Sequence, residues 1–190
     1  MLFDLLNCFF VRFSRYPRTC GFGIQSPFDY SFVRDVLSER LSYYAYDNIL
    51  SDFPQVGSSL HRLGKLYLRL SNWRQPSVFF DAHPSLLLQN YVSAGCRHVK
   101  IVSRIDELLH VELARLKFSE ADIEMLDRLI EKADEKSVIV VEGINEDITA
   151  KRFWESIRQK ENVGTTFDLY DAGIVLFDSY RSAHHYKINI

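Results

Sequence analysis

Cysteine is scarce in this chain: Cys8, Cys20 and Cys96 are an odd number in 190 residues and show no CxxC spacing. That argues against a disulfide framework or a cysteine-built zinc site, and reduced thiols predict a cytoplasmic protein. Charge of one sign is lacking too, with 23 Lys and Arg against 25 Asp and Glu for a net charge of −2. The basic residues are scattered among acids without an aromatic stripe, so no nucleic-acid partner is implied. Long apolar runs are missing. Residues 2–13 come nearest, but Asp4 and Asn7 interrupt them, they are too short to span a bilayer, and no basic n-region or small-residue cleavage site frames them. There is no GxSxG elbow, and His61, His83, His98, His110, His184 and His185 form no HxxxH or HxH pair with an acid at ligand spacing. Nucleophilic hydrolysis and a metal centre are therefore unsupported. The adjacent His184 and His185 would point to opposite faces of a strand.

What is present is ordinary globular composition, 47% apolar and 25% charged, in a length that buries a full core. The organising stretch is Ser77-Val78-Phe79-Phe80-Asp81, then Ala82-His83-Pro84-Ser85, a helix-compatible segment from Leu86 to Gly95, and a second apolar run at His98 to Ser103. This is the strand–turn–helix–strand opening of a nucleotide-type α/β sheet. The loop after the first strand must let backbone N–H groups approach a ligand, which calls for glycine. Here it has none.

Upstream, Phe3, Leu6, Phe10 and Phe13 recur at near-helical spacing beside Arg12, Arg15 and Arg18. A membrane-surface helix, a dimerisation helix and a helix packed on its own domain are the alternatives, and apolar residues spread around the helix favour the last. Cys20-Gly21-Phe22-Gly23 follows no strand and reads as a turn, with Ser26 capping and Pro27 opening a helix through Phe32, Val33, Val36 and Leu37. Tyr43, Tyr44 and Tyr46 predict a packed aromatic cluster, residues 51–59 a linker, and Leu60 to Trp73 a helix stopped by Pro76. The division expected is a helical N-terminal extension over 1–59 and an α/β domain over 60–190.

Downstream, Leu109, Leu113 and Leu116 predict a short helix, and Ser119 to Asp122 a capping box opening a longer helix with Ile123, Leu126, Ile130 and Ala133 on one face. Ser137 to Val141 is a strand buried on both faces and ends at Glu142-Gly143. Asn145 is the expected cap of a helix that buries Ala150, Phe153, Trp154 and Ile157. Val163 to Leu169, Gly173 to Phe177 and Tyr186 to Ile190 then predict an antiparallel end to the sheet.

Taken in order, Gly23 to Phe28 with its helix, the tyrosine cluster, the Leu63 to Pro76 helix, Ser137 to Val141 before a Trp154-containing helix, Gly173 to Phe177 and Tyr186 to Ile188 resemble a bacterial family of class I S-adenosylmethionine-dependent methyltransferases. The resemblance implies an α/β fold with a Rossmann-like, methyltransferase-type sheet, mostly parallel with an antiparallel C-terminal end, after a helical N-terminal extension. It also implies S-adenosylmethionine as cofactor, held by Asp81, Ala82, His83, Ser85, Ser103 and Glu142.

Against that pattern, His83 and Leu87 stand where glycines are expected, Pro84 removes a donor, Ser103 takes the place of a ribose-binding acid, and Glu142-Gly143 replaces a paired-acid turn. The stretch from Ser103 to Ser137 looks too short for a further strand and its acidic turn. At about 1.5–3 kcal/mol for each missing charge-assisted hydrogen bond, two or three losses weaken cofactor binding by roughly 10³-fold or more. The expectation is a degenerate cofactor site with weak or no catalysis, and a binding or assembly role toward an unidentified small molecule, a protein or a second copy of the chain. The alternative is an active methyltransferase on an unidentified acceptor, with His83 available as a base. A peripheral membrane protein anchored by residues 2–13 is the reading from another class.

Overall fold

The structure, a computed structural model, describes residues 23–178 and 183–189. The expectations for residues 2–13, Cys8 and Cys20 lie outside them. In chain order the elements are α1 (Pro27–Phe32), continued by a π-helical turn over Val33–Leu37, α2 (Tyr44–Asp52), α3 (Ser58–Arg74), β1 (Val78–Asp81), α4 (Leu86–Gly95) and β2 (Lys100–Val102). There follow β3 (Val111–Lys117), α5 (Ile123–Glu131), β4 (Ala133–Glu142), α6 (Ile148–Ile157), β5 (Val163–Asp168), β6 (Ala172–Phe177) and β7 (His184–Lys187).

The strands form one seven-stranded sheet in the order β2-β1-β3-β4-β6-β5-β7. It is parallel from β2 through β4, and β6 then runs antiparallel to both β4 and β5. This is the mostly parallel α/β sheet with an antiparallel C-terminal part that the sequence predicts. One detail differs, because β7 pairs parallel to β5. Strand periodicity carries no information about direction.

Alternation along the central strands sorts the core into two layers. Phe79, Leu113, Val138 and Val140 meet Phe32, Val33, Leu37, Leu66, Tyr67, Leu70, Leu88 and Val92 of α1, its π-helical turn, α3 and α4. Phe80, Ala114, Leu116, Ile139 and Val141 meet Leu126, Leu129 and Ile130 of α5 and Phe153, Trp154 and Ile157 of α6. The sheet is therefore covered on both faces, as continuous apolar strands require. A third cluster joins Tyr46 and Ile49 of α2 to Leu68, Leu87 and Tyr91.

Several local expectations hold in detail. Ser26 accepts from the Asp29 N–H and Pro27 opens α1. α3 stops at Arg74, with Gln75 left-handed (φ 48°) before Pro76. Of the tyrosines, Tyr46 is buried against Tyr43 and Tyr91 while Tyr44 is 96% exposed. The predicted linker is shorter: Ser51 and Asp52 finish α2, Ser58 and Ser59 begin α3, and residues 53–57 connect them.

Other expectations are corrected. The stretch with Leu109, Leu113 and Leu116 is no helix; Val111–Lys117 is β3, inserted between β1 and β4. The aliphatic residues fit either period, but a buried β1 needs hydrogen-bond partners on both edges, and that requirement decides. Ser119 makes no capping box. Its hydroxyl bonds Asp122 beside a single 3₁₀ turn, and α5 begins at Ile123 with Ile123 itself partly exposed. The cap of α6 is Asp147, which accepts from the Ala150 N–H, whereas Asn145 donates to the Tyr170 carbonyl. Both were capping types, and distance along the chain settled which was used.

Gly64 lets α3 approach α4 closely, because a Cβ there would overlap the buried Tyr91 ring. Gly64→Ala should destabilise the fold by about 1–3 kcal/mol. Urea denaturation reads this directly, and an unchanged midpoint would contradict the close packing.

Candidate functional site

Period-two alternation in three adjacent strands brings three charges together. Asp81 ends β1, Glu142 ends β4, and Arg115 lies in β3 between them, all on the face covered by α3. Asp81 pairs across from Arg115, and Glu142 lies two residues beyond Val140, the other neighbour of Arg115. The site therefore sits at the carboxyl ends of parallel strands, where open α/β sheets bind ligands.

The guanidinium occupies that position itself. Its Nη1 donates to Asp81 Oδ1 at 2.8 Å and to the His83 carbonyl. Its Nε and Nη2 grip Glu142 at both oxygens, 2.6 and 3.0 Å. From α3, the Tyr67 hydroxyl donates to Glu142 Oε1 at 2.7 Å. Asp81 is 0% exposed, Arg115 5% and Glu142 7%. Burial opposes the charge of Arg115, but its hydrogen bonds to Glu142 and the charges of Glu142 and Asp81 outweigh it, so its pKa rises. Tyr67 is pushed well above its usual value, first by burial and then by the Glu142 charge. The second Asp81 oxygen has no hydrogen-bond partner among the described residues.

The loop after β1 is tied into the same network. Ala82 N–H donates to the Arg115 carbonyl and His83 N–H to Asp81 Oδ1, both at 3.1 Å. Pro84 has no N–H. Only the Ser85 N–H of this loop lacks a protein partner among the described residues. His83 Nε2 lies 2.9 Å from Asp122 Oδ2, to which Ser119 also donates at 2.6 Å. With the carboxylate in the middle, the serine does not face the imidazole, so this is no nucleophile–base relay.

Thus the structure unites Asp81 with Glu142 through Arg115 and places Ala82 and His83 beside them. Ser85 directly precedes α4 and makes no side-chain capping bond, and Ser103 is exposed past the end of β2. Neither bonds the charged cluster among the described residues. Sequence reasoning missed Arg115 and Tyr67. Reading Leu113 and Arg115 as one face of a strand would have found an arginine inside the sheet, which demands a carboxylate partner. After Glu142, Gly143 adopts φ 78°, and its N–H bonds the Asp171 carbonyl. Beside it lies an apolar groove of about 260 Å³ between Leu60, Leu63 and Leu66 of α3 and Leu169 and Ala172, with the Arg62–Asp171 ion pair at its rim.

No family model and no curated protein matches this chain. Among solved structures, it is similar to cofactor-bound Rv0187 from MTB, with a TM-score of 0.52 and 12% identity over 80% of this chain and 99% of that one. At that identity the likeness is one of fold.

Replacing Arg115 with Met should cost about 3–5 kcal/mol, because two buried carboxylates lose their cation. Adding Asp81→Asn and Glu142→Gln should recover much of that loss in urea denaturation; no recovery would mean that packing, not charge, held the cluster. A second expectation concerns alkaline pH. Tyr67 titrates near 10 when unfolded and well above 10 when folded, so its contribution is fully present below pH 10. It falls as pH rises above 10, by up to about 1.4 kcal/mol per unit. Tyr67→Phe should flatten that decline, and an unchanged slope between pH 10 and 11 would contradict the assignment.

Proposed function

We propose that this protein is a S-adenosylmethionine-dependent methyltransferase-like protein with a degenerate cofactor site, weak or absent catalysis, and a binding or assembly role. The observation that carries the reading is the side chain of Arg115, which bridges Asp81 and Glu142 at the carboxyl ends of β1 and β4. The carboxyl ends of parallel strands are where open α/β sheets bind ligands, and Rv0187, a protein of similar fold, is cofactor-bound.

The residues present fit S-adenosylmethionine poorly. Asp81 Oδ1 and both Glu142 oxygens are taken by Arg115, and the loop N–H groups of Ala82 and His83 are already bonded. Ser103, in the place of a ribose-binding acid, is a neutral hydroxyl. A ligand that took over Asp81 Oδ1 or the Glu142 carboxylate would displace the guanidinium and leave it buried without a partner. At about 3–5 kcal/mol for breaking such a pair, a micromolar site becomes a millimolar one. One imidazole nitrogen of His83, Nε2, is committed to Asp122.

The test is isothermal titration with S-adenosylmethionine and S-adenosylhomocysteine up to millimolar ligand. Dissociation constants no tighter than millimolar are expected for both. Micromolar binding would overturn the reading in favour of an active methyltransferase, and an acceptor search would follow.

A further inference from the structure

At the opposite end of the sheet, where β4 enters at Ser137 and Val138 and β6 leaves at Leu176 and Phe177, a cavity of about 360 Å³ opens beside α1 and the end of α3. Val138 pairs with Leu176 there, while Glu142 pairs with Ala172 at the other end. Four residues of strand, roughly 13 Å, separate this cavity from Glu142. Its size is at the lower end of small-molecule sites.

Two aromatic rings form part of its wall. Phe28 and Trp73 have centroids 6.5 Å apart with planes inclined at 56°, and they are 44% and 40% exposed. The indole is held by Phe32, edge-on at 4.9 Å, so it offers a fixed face. Asp29 also lines the cavity and is only 2% exposed. Its carboxylate receives one hydrogen bond among the described residues, from the Tyr186 hydroxyl to Oδ2 at 3.1 Å. The Tyr186 phenol is pushed up to about 12, by burial and then by the Asp29 charge.

A buried carboxylate normally has a cation against it, because burial without one is costly. No basic side chain bonds Asp29 among the described residues. Arg74 lines the same cavity, yet its Nε is committed to the Lys136 carbonyl. A carboxylate that no cation bonds among the described residues, beside an indole that lines the same cavity, is the combination that recognises an organic cation, by charge and by cation–π attraction.

We propose that this cavity binds a small organic cation, an aliphatic amine or guanidine, with Asp29 as counter-ion and Trp73 and Phe28 as aromatic walls. The site is independent of the Arg115 cluster and goes beyond the methyltransferase-like reading. Failure of either leaves the other standing.

The test uses pentylamine and agmatine as cationic probes and 1-pentanol as the neutral comparator, with affinity from calorimetry and position from the Trp73 indole N–H resonance. Both cations should shift that resonance, and 1-pentanol should bind more weakly. Asp29→Asn should weaken amine binding about tenfold or more, and Trp73→Leu roughly threefold. No shift at tens of millimolar amine, equal affinity for 1-pentanol, or a folded Asp29→Asn variant of unchanged affinity would overturn the proposal. If Asp29→Asn does not fold, the comparison of pentylamine with 1-pentanol on the unaltered protein decides.

Discussion

The guanidinium of Arg115, buried between Asp81 and Glu142, is the constraint to which the carboxyl end of the sheet conforms. Three strands must be in one register for those groups to meet on one face, and a slip of one residue would put Arg115 into the apolar layer of Leu126 and Phe153. Such a buried triad adds little net stability compared with an apolar replacement of the same volume, but it penalises every arrangement that separates its members. The loop after β1 follows from it. With the Ala82 and His83 N–H groups bonded into the network and Arg115 donating to the His83 carbonyl, residues 82–85 close over the strand ends without any glycine.

The two ends of the sheet thus differ in their electrostatics. At the end marked by Glu142, Arg115 is paired with both Asp81 and Glu142, and Tyr67 bonds the Glu142 carboxylate from α3. At the end marked by Val138, Asp29 is buried and, among the described residues, its carboxylate is bonded by the Tyr186 phenol, beside a cavity with aromatic walls. The helices contributed by residues 27–74 build both ends. α3 brings Tyr67 to one and Trp73 to the other, and α1 supplies Phe28 and Asp29. Phe32, Val33 and Leu37 share a core with the central strands, so these helices pack directly on the sheet.

Much of the architecture was legible because its signals are local. The apolar runs of β1 and β4, the stripe of Ala150, Phe153, Trp154 and Ile157, the cap at Ser26 and the stop at Pro76 each depend on residues a few positions apart. β3 was misread because Leu113 and Leu116 suit a helix as well as a strand. The direction of β7 was misread because alternation is the same for parallel and antiparallel strands. Of the candidate site, Asp81 and Glu142 could be seen at the ends of apolar runs. Arg115 could not, since it sits in the segment whose period was ambiguous.

By itself, then, the sequence determined a two-faced α/β sheet with acids at the ends of two strands and a loop without glycine between the first strand and its helix. Burial and periodicity are properties of neighbouring residues, and they need no knowledge of distant ones. Only the tertiary structure decided that the two acids, 61 positions apart, share one cation from a third strand. Their pairing depends on strand order and register, which arise from hydrogen bonding and packing between segments that the linear chain keeps separate.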